Sequence, residues 1–138
     1  MIAALVLPDR LRAQLAAEAR AAYPNECCGL IEAAGAGDTL TVMALHPTKN
    51  LSDAPDRFEI DPAEHIRLLR HLRGTGRGIV GCYHSHPNAA GEPSATDRER
   101  AIDESFVWLI AGLGAAGVAT LGAFIFEAGG FRRLPLDG

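Results

Sequence analysis

The sequence is poor in several features that mark whole classes of protein. It has three cysteines, Cys27, Cys28 and Cys82, an odd number that includes an adjacent pair. That is not a disulfide framework, and it predicts a reducing, cytoplasmic setting. Positive charge is also scarce, with 13 Lys and Arg against 17 Asp and Glu and a formal net charge of −4. No basic run forms a stripe that could track phosphates, so nucleic acid is not an expected partner. The apolar opening residues lack a basic flank and run straight into Pro8-Asp9-Arg10, which predicts no signal peptide. Internal repeats and low-complexity segments are lacking too.

What is present is an ordinary globular composition, 48% apolar and 22% charged, over 138 residues. That length predicts one domain spanning residues 1–138, large enough to build a core without disulfides or a structural metal. A metal in such a chain is expected to serve function. One charge-free stretch, Phe106 to Phe126, is long enough to cross a bilayer. Gly112, Gly114, Gly117 and Gly122 interrupt it, and its ends are rich in β-branched and aromatic residues. It reads as two buried strands around a Gly-rich turn, with no membrane as partner.

The remaining elements follow from periodicity and capping. Leu11, Leu15, Ala19 and Ala22 recur at helical spacing and predict a helix over Pro8–Ala22, stopped by Pro24. Strands are expected at Glu26–Glu32 and Thr39–Leu45 around the turn Gly35-Ala36-Gly37-Asp38, then a loop over His46–Asp56 and a short strand at Arg57–Ile60. Asp61-Pro62-Ala63-Glu64 opens a second helix that ends at Gly74. Gly78–His84 reads as a strand and Pro87–Pro93 as a loop. Ser94-Ala95-Thr96-Asp97 opens a third helix with Ala101 and Ile102 inward, followed by strands at 106–111, 118–126 and 130–134. The order predicts a mixed α/β (α+β) fold in which a single mixed β-sheet, with both parallel and antiparallel pairs, is flanked by helices.

The chemistry concentrates in His84-Ser85-His86-Pro87 and Ser94-Ala95-Thr96-Asp97. Residues two apart on a strand share a face, so His84 and His86 aim two imidazoles at one point, with Ser85 turned the other way. Asp97, in the first turn of the next helix, is placed to face them. Two nitrogens and one carboxylate would leave a zinc ion with an open fourth position for water, the mark of a catalytic site. On its own, an HxH pair also suits hydrogen-bonded surface histidines, and Ser94 on its own is a helix N-cap.

Together with Glu26 in Pro24-Asn25-Glu26-Cys27-Cys28-Gly29-Leu30, this pattern resembles the JAMM (MPN+) zinc metallopeptidase family over roughly residues 5–126. The short chain, and Pro55-Asp56-Arg57-Phe58-Glu59-Ile60-Asp61-Pro62, resemble its small prokaryotic branch. The resemblance implies that His84, His86 and Asp97 bind one Zn2+, that Glu26 is the general acid/base and that Ser94 stabilises the oxyanion. It also implies hydrolysis of the amide bond after the Gly-Gly C-terminus of a ubiquitin-like sulfur-carrier protein. A non-catalytic scaffold of the same fold, or a hydrolase of an unrelated amide, are the other readings. Arg57 and Phe58 are candidates for substrate contact, Glu32, Glu59 and Glu92 are weaker candidates for the base, and the cysteines and Trp108 read as core. Gly112-Leu113-Gly114-Ala115-Ala116-Gly117 fits G-x-G-x-x-G, but only 21 residues follow it. A dinucleotide site needs a helix and a further strand there, so this match is set aside.

Overall fold

The computed structural model describes residues 1–114 and 117–138. The chain runs β1 (Ala4–Val6), α1 (Asp9–Ala22), β2 (Cys28–Ala36), β3 (Thr39–Thr48), α2 (Pro62–His71), β4 (Gly78–Pro87), α3 (Ala95–Arg100), β5 (Val107–Gly114), β6 (Gly117–Glu127), β7 (Gly130–Leu134) and β8 (Leu136–Asp137). All the strands join one sheet in the order β7-β6-β5-β4-β2-β3-β1-β8. β1 lies parallel to β3 and β8, and β4 parallel to β5; the other pairs are antiparallel. The sheet is therefore mixed, as the alternation of hairpins and helical crossovers predicts.

Each face of the sheet carries its own apolar cluster. On one, Leu11, Leu15 and Ala19 of α1 pack with Ile31, Tyr83, Leu109 and Ile125. On the other, Leu68 of α2 meets Leu30, Cys82, Trp108, Ile110 and Phe124. Because both faces are covered, β5 is buried at nearly every position, which explains its unbroken apolar run. β5 and β6 form the antiparallel pair expected from Phe106–Phe126. The tip of the expected Gly-rich turn, residues 115–116, lies outside the described residues. No helix among the described residues is long and apolar enough to cross a membrane.

Several boundaries differ from the sequence reading. β3 continues through His46 and Pro47, placed there in a loop; it is paired with β1 only over Thr39–Thr41, so proline interrupts no ladder on that side. Arg57–Ile60 is not a strand. The Arg57 carbonyl accepts from Asn50 Nδ2 and the Phe58 carbonyl from Arg100 Nη1, so side chains take the place of a neighbouring strand. Ile102 is 80% exposed rather than inward, because α3 ends at Arg100 and the chain turns away after Ala101. β2 begins at Cys28, which leaves Glu26 just ahead of the strand. α2 ends at His71, and the terminal strands β1 and β8 are too short to announce themselves by periodicity.

Tyr83 links α1 to the strand that carries the two histidines. Its ring is fully buried, and its hydroxyl donates to Glu18 Oε1 at 2.7 Å, while Gln14 Nε2 donates to the other oxygen of that carboxylate. Tyr83→Phe is expected to lower the unfolding free energy by about 1–2 kcal/mol, read by urea denaturation, because a carboxylate loses a short hydrogen bond from a dry neighbour.

Candidate active site

Three elements meet at the site. β4 alternates across the sheet, placing Tyr83 in the α1-side core and His84 and His86 on the α2 side. Ser85, on the opposite face as expected, accepts from Cys27 N at 2.9 Å, and its own N–H donates to the Cys27 carbonyl. The register Cys28↔His84 then brings Glu26 beside His86. α3 starts with a full capping box: Ser94 Oγ accepts from Asp97 N at 3.1 Å, and Asp97 Oδ2 accepts from Ser94 N at 2.9 Å.

The result is a tight triangle. His84 Nε2 and His86 Nε2 lie 3.0 Å apart, and Asp97 Oδ2 lies 3.1 Å from the first and 3.0 Å from the second. His84 is fully buried, stacked on Phe58 at 4.3 Å and met edge-on by Trp108 at 5.6 Å. His86 Nδ1 donates to the Ala90 carbonyl at 3.0 Å, which turns a lone pair of the neutral ring toward the triangle. Three electron-rich atoms thus share too few protons to satisfy every contact. A cation at the centre satisfies all of them, and a tetrahedral zinc ion would set such donors about 3.3 Å apart. The donor set fits that ion.

Glu26 offers a carboxylate oxygen within 4.8 Å of ligand atoms of both histidines. Its Oε1 is buried and without a hydrogen-bond partner among the described residues, as is His84 Nδ1. That oxygen could join the two imidazoles on a cation or carry a proton beside it. Burial pushes its carboxyl up to about 7; Asp97 and Asp56 add to the rise and His86 opposes it. Burial also acts to raise Asp97, but its close contacts with His84 and His86 and the Ser94 N–H outweigh it and hold this carboxyl well below the usual range. Burial lowers His84 despite its bond to Asp97, whereas for His86 the bonds to Asp97 and Ala90 overcome burial and raise it.

A cleft of about 420 Å³ lined by Glu26, His86, Ser94, Asp56 and Asn88 opens onto these groups. A second cavity of about 330 Å³ lies behind Asp97, walled by Phe58, Trp108, Arg57 and Arg100. The structure thus brings together Glu26, His84, His86, Ser94 and Asp97, and sets Phe58 against His84. The other carboxylates are engaged elsewhere: Glu32 with His46 and Arg77, Glu59 with Arg100, Glu92 with Arg133. All three cysteines are free thiols, Cys28 and Cys82 buried and Cys27 half-buried. Sequence reasoning missed Asn50, whose Nδ2 donates to the Glu26 carbonyl at 3.1 Å, and the Ala90 carbonyl. A lone loop asparagine and a backbone oxygen carry no spacing signal.

The folded metal-free protein binds the Glu26 proton more tightly than the unfolded chain, whose carboxyl titrates near 4.5. This group therefore makes stability fall as pH rises from about 4.5 to about 7. In urea unfolding of metal-free protein at pH 5 and pH 8, Glu26→Gln is expected to flatten that fall relative to wild type.

The comparisons with known proteins agree with this geometry. The family model described as prokaryotic homologs of the JAB domain matches residues 8–122. The chain is similar to the desampylase of Haloferax volcanii, 44% identical over 88 residues that cover 63% of this chain and 62% of that protein. It is similar to the CysO-cysteine peptidase of Mycobacterium tuberculosis, 28% identical over 72% of this chain and 66% of that one. The matched region thus spans less than two thirds of either relative. The solution structure of a protein from Desulfitobacterium hafniense superposes with a TM-score of 0.82 and 31% identity, covering 96% of this chain and 90% of the other. With the family model matching residues 8–122 and the fold shared with a solved structure of 31% identity, this protein belongs to the prokaryotic homologs of the JAB domain.

Proposed function

We propose that this protein is a zinc-dependent peptidase or isopeptidase that hydrolyses the amide bond after the Gly-Gly C-terminus of a small ubiquitin-like, sulfur-carrier protein. The observation that carries this reading is the buried triangle of His84 Nε2, His86 Nε2 and Asp97 Oδ2 at 3.0–3.1 Å with the Glu26 carboxyl beside it. His84, His86 and Asp97 would hold the ion, which leaves a position open. The desampylase and peptidase names of two relatives support the reaction class.

When bound, zinc supplies Lewis-acid polarisation of the scissile carbonyl and brings the pKa of a water toward about 7, making water the nucleophile. Glu26 takes up a proton at its carboxylate and delivers it to the leaving amine. Ser94 Oγ accepts the Asp97 N–H, which leaves its own O–H free to donate to the carbonyl oxygen as negative charge develops there. Helix capping and oxyanion stabilisation thus use different parts of one hydroxyl. A Gly-Gly tail suits this site because glycine has no Cβ to hold the peptide away from the buried donors.

The test is intact-mass analysis of a ubiquitin-like sulfur carrier extended beyond its Gly-Gly end, incubated with zinc-loaded protein. Wild type is expected to remove the extension. Glu26→Ala should keep one zinc per chain and lose about 10²–10⁴ in turnover, and Ser94→Ala about 10²–10³. His84→Ala and Asp97→Ala should lose the metal. An intact carrier in a sample holding one zinc per chain would sink this substrate class, and full activity of Glu26→Ala would remove Glu26 from the mechanism.

A further inference from the structure

We propose that Thr120, on a strand that holds none of the site residues, is a positioning residue for the metal centre, acting through one peptide group. The inference rests on the reading of His84, His86 and Asp97 as zinc ligands. It starts from the loop of residues 88–93, which joins His86 to Ser94. Within it the Ala90 carbonyl accepts from His86 Nδ1 at 3.0 Å and from Glu92 N at 2.9 Å, and the Gly91 N–H donates to Thr120 Oγ1 at 2.7 Å.

The Ala90 carbonyl and the Gly91 N–H belong to the same peptide plane. In a trans peptide they point in opposite directions and cannot turn independently. The Thr120 hydroxyl and the His86 imidazole therefore grip the two ends of one rigid group. Orienting the N–H end orients the carbonyl, and the carbonyl decides which nitrogen of His86 carries the proton and which faces His84 and Asp97.

The seat beneath this peptide is cut for it. Gly91 is buried against β5 and β6. A Cβ on Gly112 would stand 2.4 Å from Thr120 Oγ1 and 2.5 Å from Gly91 N, and a Cβ on Gly122 would stand 2.3 Å from the Gly91 carbonyl. The loop is tied down again where Asn88 N donates to the Leu113 carbonyl at 2.7 Å. Gly112, the first glycine of the run that fits a nucleotide-binding pattern, is thus explained by close approach of this loop.

The decisive variant is Thr120→Val, which removes the hydroxyl but keeps a β-branched side chain at an exposed strand position. Zinc affinity, measured by competition with a chromophoric chelator, is expected to fall about tenfold, within the range for losing a partner that orients a ligand. Thr120→Ser is expected to restore it. In metal-free protein, His86 ring 15N shifts should report the Nδ1–H tautomer in wild type and a mixture of tautomers in Thr120→Val. A Thr120→Val protein with wild-type zinc affinity overturns the proposal, whatever its melting temperature, because a merely structural role would change stability and leave the affinity alone. A wild-type protein that binds no zinc is a separate result: it removes the metal reading, and this inference with it.

Discussion

Three electron-rich atoms held about 3 Å apart among buried side chains are the condition on which the rest of the site depends. Such a cluster is costly to bury, since each atom gives up its hydration and two of the contacts set lone pair toward lone pair. It persists because the groups carrying it have no freedom to separate. His84 packs against both Phe58 and Trp108, which also touch each other, and His86 is held by Ala90. Asp97 is locked by the capping box that starts α3. The capping box does double duty, satisfying the helix start and presenting Oδ2 to both imidazoles. A framework this rigid is what a small ion with short bonds and fixed angles requires.

The support around these groups comes largely from main-chain atoms. The peptide group after Glu26 is held at both ends, its carbonyl accepting from Asn50 Nδ2 and its N–H, on Cys27, donating to Ser85 Oγ. Asn50 also binds the Arg57 carbonyl and the Ser52 and Glu59 N–H groups, so one amide joins the backbone before β2 to the irregular segment before α2. A segment without ladder partners must satisfy its polar groups by such means. Its return is the placement of Phe58, whose ring shields His84 from solvent.

Glu26 and Asp97 show how environment separates two carboxyls within one small site. Both are buried, which disfavours charge on each. Asp97 receives hydrogen bonds that overcome this and stays ionised, whereas Glu26 Oε1 has no partner among the described residues and its proton is held up to about pH 7. That difference in hydrogen bonding keeps the two carboxyls in different protonation states over the same range of pH.

Much was legible in the chain because it rests on short-range rules. HxH on a strand fixes a shared face, Ser-x-x-Asp fixes a capped helix start, and Asp61-Pro62 opens α2 as read, with Asp61 accepting from Ala63 N. Family membership followed from the spacing of Glu26, His84, His86, Ser94 and Asp97. The misread elements were those decided by distant partners. Arg57–Ile60 has the residues of a strand, yet Asn50 and Arg100 take the carbonyls a neighbouring strand would have used. Ile102 follows Ala101 in the apolar pattern, yet α3 ends at Arg100 and leaves it exposed. Nothing local to Asn50 or Thr120 marks them either, since Glu26 and Gly91, which they hold, lie 24 and 29 residues away, and Ala90 acts through a backbone oxygen that every residue carries. The sequence by itself determined which side chains could form a metal site and the order of the elements carrying them, because spacing and capping act within a few residues. Only the tertiary structure decided which backbone groups orient those side chains and how dry their surroundings are, because burial and hydrogen-bond partners are set when separate strands and loops pack together.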